Sequence, residues 1–311
     1  MTQTPHVTVI MRSKNSDWVI DQALAGLFSQ DYTNFSLLVV DSGSTDRTLD
    51  IVAQFPAKLV CIPPENYYPG TVLNDAIAQT DTDIVVFQNS DVVPLNQHAL
   101  RNLVAAFDDP EVMAAFARQA PRPEADLWVK RDYAVSFPAE GDAPPWITLS
   151  LPFAAMRRSA WEKHPFYTDA WGSEDTEWGH WAKQQGMKVK YVADAVVMHS
   201  HNYTLRQTFG RRFIEGEADA FIYRDHVSLV RGMGSAAIRA LKDMAGHLAH
   251  SKTLPAIIKG IATSPARRGV EAWAYFKGHS HGERRIAAGD TDASGGQKVV
   301  LARHESARRS A

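Results

Sequence analysis

The 311-residue chain holds a single cysteine, Cys61. One thiol can form neither an intramolecular disulfide nor a thiolate zinc cluster, so the fold rests on its core and needs no oxidising compartment. The opening stretch MTQTPHVTVIMRSKN lacks the basic segment and apolar run of a secretory signal. No uninterrupted apolar run approaches the roughly 20 residues that cross a bilayer. These absences together predict a cytoplasmic site of action. Two nucleotide fingerprints are also missing: no G-x-G-x-x-G follows the first strand-like run, and no G-x-x-x-x-G-K-[ST] occurs anywhere. Dehydrogenase and nucleoside-triphosphatase readings fall with them. No nucleophile elbow, a G-x-S-x-G between a strand and a helix, supports a hydrolase. The chain has no internal repeat.

What is present is the composition of an ordinary globular protein, 45% hydrophobic and 22% charged, long enough for a large core in one or two domains. With 33 basic and 35 acidic residues the net charge is −2, which argues against a dedicated nucleic-acid binder. The balance is uneven along the chain. From Arg231 onward there are 14 Lys and Arg against 6 Asp and Glu, so the first 230 residues carry the acidic excess. An acidic body with a basic C-terminal segment suits an enzyme resting against an anionic surface, and a solvated basic extension accounts for the charges equally well.

Short β-branched runs at 7–11, 35–40, 58–62 and 83–87 alternate with amphipathic segments, the signature of βαβ units and a mostly parallel sheet. Ile20, Ala23, Leu24, Leu27 and Phe28 fall at helical spacing behind a Ser16 or Asp17 cap, and Thr48, Ile51, Val52 and Phe55 do so behind Ser44 and Asp46. A helix through Leu100, Leu103, Val104 and Phe107 precedes a strand at 112–117. From Pro121 to Pro152 the chain turns Pro-rich and aromatic and the alternation is lost, which predicts an irregular specificity insert. Beyond it the pattern predicts helices near 157–164 and 174–185, a strand at 188–199, a helix over 204–223, and apolar and basic positions at helical spacing across 236–262.

In an open α/β sheet, ligands bind at the carboxyl ends of the strands. Three of those ends are polar: Arg12-Ser13-Lys14-Asn15, then Asp41-Ser42-Gly43-Ser44-Thr45-Asp46, then Gln88-Asn89-Ser90-Asp91. Cations and amides beside acids on one sheet edge are what a nucleoside diphosphate with a divalent cation requires, although Asp46 can equally be a plain helix cap. Further on, Glu174, Asp175 and Glu177 open a predicted helix beside Trp171 and Trp178. One of them can serve as a general base, or Ser173 and Glu177 can be capping chemistry. His199 and His201, two apart at a strand end, point to one face, where either can ligate a cation, pair with diphosphate or simply be hydrogen-bonded.

Taken in order, VTVIMRSKN, LLVVDSGSTDRT, IVVFQNSD, GSEDTEW and VVMHSHNYTLRQ resemble the family 2 glycosyltransferases over roughly residues 5–225. The stretches FARQAP, FAAMRRSAWEK and YVADAVVMHSHNYTL are most similar to the bacterial rhamnosyltransferases of surface-polysaccharide assembly. The resemblance implies a GT-A fold, an α/β, Rossmann-like, mostly parallel central sheet flanked by helices. It would span 1–225, with a nucleotide-sugar half at 1–120 and an acceptor and catalytic half at 121–225. A basic amphipathic helical extension at 226–286 and a disordered tail at 287–311 would follow.

Site roles follow from the same resemblance. Asp175, with Glu174 beside it, would be the catalytic base of an inverting transfer. Arg12, Lys14, Asp41, Ser42, Asn89 and Ser90 would hold the donor nucleotide, with Tyr68, Gly70 and Asn74 on a third loop near it. Asp91 would bind Mg²⁺ or Mn²⁺, joined by His199 or His201. The motif here is Asn89-Ser90-Asp91 rather than two acids, which leaves the metal requirement open. The implied donor is dTDP-rhamnose, with a UDP-hexose the alternative. The implied acceptor is a saccharide or lipid-linked saccharide at the inner face of the membrane, with Arg267, Arg268, Trp273, Phe276 and Lys277 as a peripheral contact with anionic lipid. No nucleic-acid partner is implied. A protein that binds the nucleotide sugar without turnover stays open. A nucleotidyltransferase is disfavoured by the lack of glycine in Arg12-Ser13-Lys14-Asn15.

Overall fold

A computed structural model describes residues 4–290, and the tail expected from 287 lies, from residue 291, outside the described residues. The elements run β1 (Val7–Ser13), α1 (Ile20–Phe28), β2 (Phe35–Asp41), α2 (Thr48–Val52), β3 (Ala57–Cys61), α3 (Pro69–Ala78), β4 (Ile84–Asn89), β5 (Val93–Pro94), α4 (Ala99–Val104) and β6 (Val112–Ala120). Then come α5 (Leu127–Ser136), β7 (Phe153–Arg157), α6 (Arg158–Lys163), α7 (Glu174–Gln184), β8 (Lys188–Met198), α8 (Leu205–Tyr223), α9 (Leu229–His250) and α10 (Leu254–Ala288). They form two bodies. The first comprises the residues up to Glu124, Asp132–Tyr167 and Glu174–Ser200; the second comprises Ala125–Arg131, Thr168–Ser173 and the chain from His201.

The first body is built on one sheet of order β3-β2-β1-β4-β7-β6-β8-β5. The pairs β1/β2, β2/β3, β1/β4 and β6/β8 are parallel, and β7 runs antiparallel between β4 and β6. The β-branched runs of β1, β2 and β4 are buried on both faces, as a helix-covered parallel sheet demands, whereas β3 at the sheet margin is largely exposed. Since β7 reverses, β1, β2, β4, β6 and β8 all end at the same edge, and the break in strand order lies between β1 and β4. That is where the polar strand ends converge.

Three local expectations need correction. The insert at 121–152 is not all irregular, because Leu127–Ser136 forms α5. Only Val129 of that helix is buried, so it presents almost no apolar stripe to read. The third loop near the donor is largely a helix: Pro69 sits in the first turn of α3, where its missing N–H costs nothing. Gly70 and Asn74 are therefore helical residues. Ser16 does not cap α1 through its side chain, because its hydroxyl meets Ser90 Oγ at 2.7 Å.

The second body is helical. The division falls near Ser200 rather than 225 because α8 packs directly on α10. A Cβ at Gly216 would lie 2.2 Å from Tyr275 O, one at Gly278 1.9 Å from Phe213 O, and one at Gly282 2.6 Å from Glu217 O. These glycines let two helix backbones touch. Gly278-His279-Ser280-His281-Gly282 carries the bare G-x-S-x-G spacing, but inside α10 rather than on a strand-to-helix turn, so its glycines serve packing. The stretch 236–262 is two helices, broken at Ser251-Lys252-Thr253 ahead of Pro255.

Two residues of the expected lipid contact are unavailable to lipid. Arg268 is 1% exposed and donates from Nε to Asp243 Oδ2 at 2.6 Å and from Nη1 to Glu271 Oε2 at 2.9 Å. Arg267 lies over the Trp128 ring at 4.0 Å and donates to Tyr203 O at 3.0 Å. Arg131 also reaches Asp243, at 2.7 Å. Removing the shared carboxylate leaves Arg268 charged and buried without its main partner, so Asp243→Ala should lower stability by about 3–5 kcal/mol. Urea denaturation reads this directly, and a loss under about 1 kcal/mol would show that the cluster does not hold the helices together.

Candidate active site

Arg12, near the end of β1, spans the break in the sheet. Its Nη2 donates to Asn89 Oδ1 on β4 at 3.3 Å, and its Nη1 donates to Glu174 Oε1 at 2.7 Å. Burial alone would lower its pKa, but the Tyr67 phenol and the Glu174 carboxylate facing it raise it above the ordinary arginine value. The guanidinium is therefore a fixed positive charge against the head of α7. It is placed at the acids of α7 as well as beside the expected donor loop.

Asp175 follows immediately. The chain enters α7 through two left-handed residues, Gly172 (φ 95) and Ser173 (φ 58). Strain of this kind persists only where the surroundings hold it. The helix is anchored by Trp178, which donates to His164 O at 2.9 Å, by Trp181 stacked on the His164 ring at 4.3 Å, and by Glu177 paired with His164 Nε2 at 3.0 Å. Gly179 lets α7 close on the segment before β7, since a Cβ there would lie 2.6 Å from Thr148 Oγ1. That approach brings the Leu151 amide to Asp175 Oδ2 at 3.2 Å, while the Thr176 amide donates to Oδ1 at 2.8 Å. Burial, and then the charge of Glu174, push the Asp175 carboxyl up to about 6; the two amides and Arg12 oppose the rise. A carboxyl titrating there can take a proton near neutral pH.

A second line of polar groups lies across the same edge. Asp91 Oδ2 is 3.8 Å from His199 Nε2. His199 Nδ1 is 2.8 Å from Gln119 Oε1, and Gln119 Nε2 donates to Ser150 Oγ at 2.8 Å. Because the Gln119 amide donates to Ser150, its oxygen accepts from His199 Nδ1–H, which leaves Nε2 as the acceptor nitrogen facing Asp91. Arg122 Nη2 donates to the Asp91 carbonyl at 2.6 Å and steadies that turn. One ion with bonds of about 2.1 Å can reach both ligand atoms across 3.8 Å, so the pair fits a divalent cation. His201, two residues on, opens the second body and stacks on Tyr203 at 5.1 Å.

The remaining expected residues are placed as follows. Asp41 is fully buried, and its oxygens accept from the Gly43 amide (3.0 Å), the Ser44 amide (2.8 Å) and the Ser44 hydroxyl (2.5 Å), so it shapes its own turn. Gly43 (φ 80) must be glycine, because a Cβ would lie 2.7 Å from Pro64 Cγ. Ser42 is buried and donates to Ser13 O at 3.3 Å. Lys14 lies in the loop that Asn15 ties to the second strand end through Thr45 N at 2.8 Å. Asp46 sits one residue ahead of the N-cap Arg47 of α2 and accepts from Thr48 N at 3.0 Å; partial burial pushes it up, but the Thr48 bonds hold it below the usual carboxylate range. Asn74 is a brace: its oxygen accepts from Trp161 Nε1 (2.8 Å) and Phe166 N (2.9 Å), and its amide donates to Phe166 O (2.8 Å). Tyr68 precedes α3 in extended backbone. Gln119, Ser150 and the Leu151 amide were missed by sequence reasoning. Only Gln119 carried a signal, sitting in FARQAP at the end of a predicted strand.

This sheet, with polar strand ends and a carboxylate pair on one edge, is of the GT-A type. Similar solved structures include a mannosyltransferase from Pyrobaculum calidifontis in complex with GDP-Man and Mn²⁺, at TM-score 0.62 and 20% identity over 91% of this chain and 88% of that one. The glucosyl-3-phosphoglycerate synthase of Mycobacterium tuberculosis, with Mn²⁺, UDP and glucosyl-3-phosphoglycerate, aligns at TM-score 0.52 and 19% identity over 70% and 80% of the two chains. Residues 8–171 match the family described as Glycosyl transferase family 2. The chain belongs to that family and is a glycosyltransferase. It is 30% identical over 225 residues to the O-antigen chain rhamnosyltransferase RfbN of Salmonella typhimurium, covering 68% of this chain and 71% of that protein. To the O-antigen chain rhamnosyltransferase WbaN of Salmonella anatum it is 32% identical over 58% of this chain and 61% of that protein.

The Asp175 environment sets a pH dependence. A base must be ionised, so with Asp175 in that role kcat/KM would fall on the acid side with an apparent pKa near 6. Arg12→Gln removes a charge that lowers Asp175 and should move this limb up by about one unit. A limb near the ordinary aspartate value in wild type rejects the assignment. The stability sign is opposite: the folded value is above the unfolded one, so ionised Asp175 costs stability above about pH 6 and costs none below about pH 4. Wild type should therefore gain on Asp175→Asn as pH falls from about 8 to about 5.

Proposed function

We propose that the chain is an inverting glycosyltransferase that moves a sugar from a nucleoside-diphosphate donor to a saccharide acceptor in polysaccharide synthesis. The observation that carries the reading is the buried Asp175 carboxyl, pushed up to about 6 beside Glu174 and kept ionisable by Arg12 and two backbone amides. Asp175 removes the proton of an acceptor hydroxyl; the hydroxyl oxygen attacks the anomeric carbon as the bond to the diphosphate oxygen breaks, and the anomeric configuration inverts. Glu174 pairs with Arg12 at 2.7 Å, and its charge beside Asp175 raises the proton affinity of that carboxyl.

Asp91 and His199 would hold a divalent cation, with His201 the third candidate of the sequence. When bound, that cation supplies positive charge to the diphosphate leaving group. A mixed carboxylate and imidazole pair suits Mn²⁺ better than Mg²⁺. Rhamnose from a dTDP-linked donor is the reading supported by the names of the two Salmonella relatives, and a UDP-hexose is the alternative. The acceptor is a lipid-linked saccharide, and the lone cysteine fits a cytoplasmic site of action.

Incubation with dTDP-rhamnose or a UDP-hexose and a lipid-linked acceptor should release nucleoside diphosphate and give a product of inverted anomeric configuration by NMR. Asp175→Asn should bind donor normally and turn over about 10²–10⁴-fold more slowly. Near-normal turnover by the folded variant defeats the reading, and donor binding without any diphosphate release makes the chain a non-catalytic binder. Gln119→Leu frees the His199 ring from its tautomer lock, and calorimetry should show Mn²⁺ affinity lowered roughly 10–100-fold. Unchanged affinity would exclude His199 Nε2 as a ligand.

A further inference from the structure

The helical hairpin of α9 and α10 has one face consumed by packing and one that is exposed among the described residues. On α9, Ala236, Ala240 and Asp243 are buried, and His247 lies over α10 where a Cβ at Gly260 would meet its ring at 2.2 Å. Further round the helix Val230, Ala237, Leu241 and Leu248 recur at seven, four and seven residues, which stacks them in one exposed stripe bordered by Met233 and Ile238. On α10, Leu254 and Ile258 lie one turn apart, and a Cβ at Gly269 would meet Met233 Cε at 4.0 Å, so the exposed sides of the two helices adjoin. The large side chains range from 43% exposed at Met233 to 83% at Val230.

The rim of this face is basic. Arg231, Lys242, Lys252 and Lys259 are exposed around it. Between Leu229 and Thr263 the one acid is Asp243, which is buried against Arg268. An exposed apolar patch of this extent marks an interaction surface. An apolar stripe edged with Lys and Arg is the pattern of a helix that lies in a membrane interface. A second copy of the chain would set four like charges against four, with no exposed acid in this segment to meet them. No helix among the described residues is long and apolar enough to cross a membrane.

We propose that this face of α9 and α10, with Leu241, Leu248, Leu254 and Ile258 at its centre and Arg231, Lys242, Lys252 and Lys259 at its rim, docks on an anionic lipid surface with both helices lying along it. The apolar side chains enter the headgroup boundary while the basic rim meets lipid phosphates. This extends the lipid-linked acceptor reading above, and the two fail separately, because donor binding and turnover on a soluble acceptor need no vesicle.

The test is co-sedimentation of the full chain with vesicles of phosphatidylglycerol in phosphatidylcholine, and with phosphatidylcholine alone. Wild type should pellet with the anionic vesicles and be released by high salt. Leu241→Glu with Leu248→Glu, and separately Lys242→Glu with Lys252→Glu and Lys259→Glu, should each lower binding about tenfold or more, since both contributions scale with the groups removed. Lys183→Glu, an exposed lysine of α7, should leave binding unchanged. The lysine variants touch no buried contact, so they decide the matter even where the leucine variants fold poorly. Equal pelleting with neutral vesicles, or full binding by the lysine variants, overturns the proposal. So does a wild-type dimer in sedimentation that the leucine variants dissolve while lipid is ignored, which assigns the face to a second copy.

Discussion

Two adjacent carboxyls at the buried head of a helix cannot both ionise without a cation, and Arg12 is that cation. It holds Glu174 at 2.7 Å and reaches Asn89 across the break in strand order, so one guanidinium joins β1, β4 and α7. Asp175, next to Glu174, meets burial first and then the charge of that neighbour, and is pushed up to about 6. Neighbouring residues of the same chemistry thus sit in different surroundings, the first against a guanidinium and the second between two backbone amides.

The segment 148–151 ahead of β7 connects this pair to the second polar line. Thr148 lies against Gly179 of α7, Ser150 accepts from Gln119, and the Leu151 amide donates to Asp175. Orientation of His199 and placement of the Asp175 carboxyl therefore depend on the same four residues. These are the end of the insert that the sequence marks as irregular. Its irregularity is useful, because an extended segment offers amides and hydroxyls that a helix or a ladder would already have paired.

The second body follows a different logic. Its helices α8 and α10 approach through Gly216, Gly278 and Gly282, while Arg268, Asp243 and Glu271 form a charged cluster that is satisfied internally. The polar and small residues of this segment are thereby drawn inside, and part of its apolar surface is left outside. Basic residues that look alike in sequence part ways here: Arg267 and Arg268 are held by the fold, whereas Lys242, Lys252 and Lys259 are not buried.

Local pattern was enough for much of the first body. Runs such as VTVIM and DIVVF carry their strand character in β-branched side chains, and the residues that follow them end at one sheet edge whatever the details of packing. The order of motifs, from VVDSGSTDRT to MHSHNYTLRQ, was enough for the family. Helices α3 and α5 were not legible, the first because it starts directly from Pro69 after an aromatic loop, the second because it buries one residue. Partnerships were beyond reach for a plainer reason. Arg12 and Glu174 are 162 residues apart and Gln119 and His199 are 80 apart, and no periodicity records which distant groups will meet. Residue types and strand ends determined that carboxylates, amides and a cation share one edge. Tertiary packing decided which carboxylate Arg12 holds, which nitrogen of His199 faces Asp91 and which lysines stay on the surface, because each depends on burial and on neighbours that only the folded chain supplies.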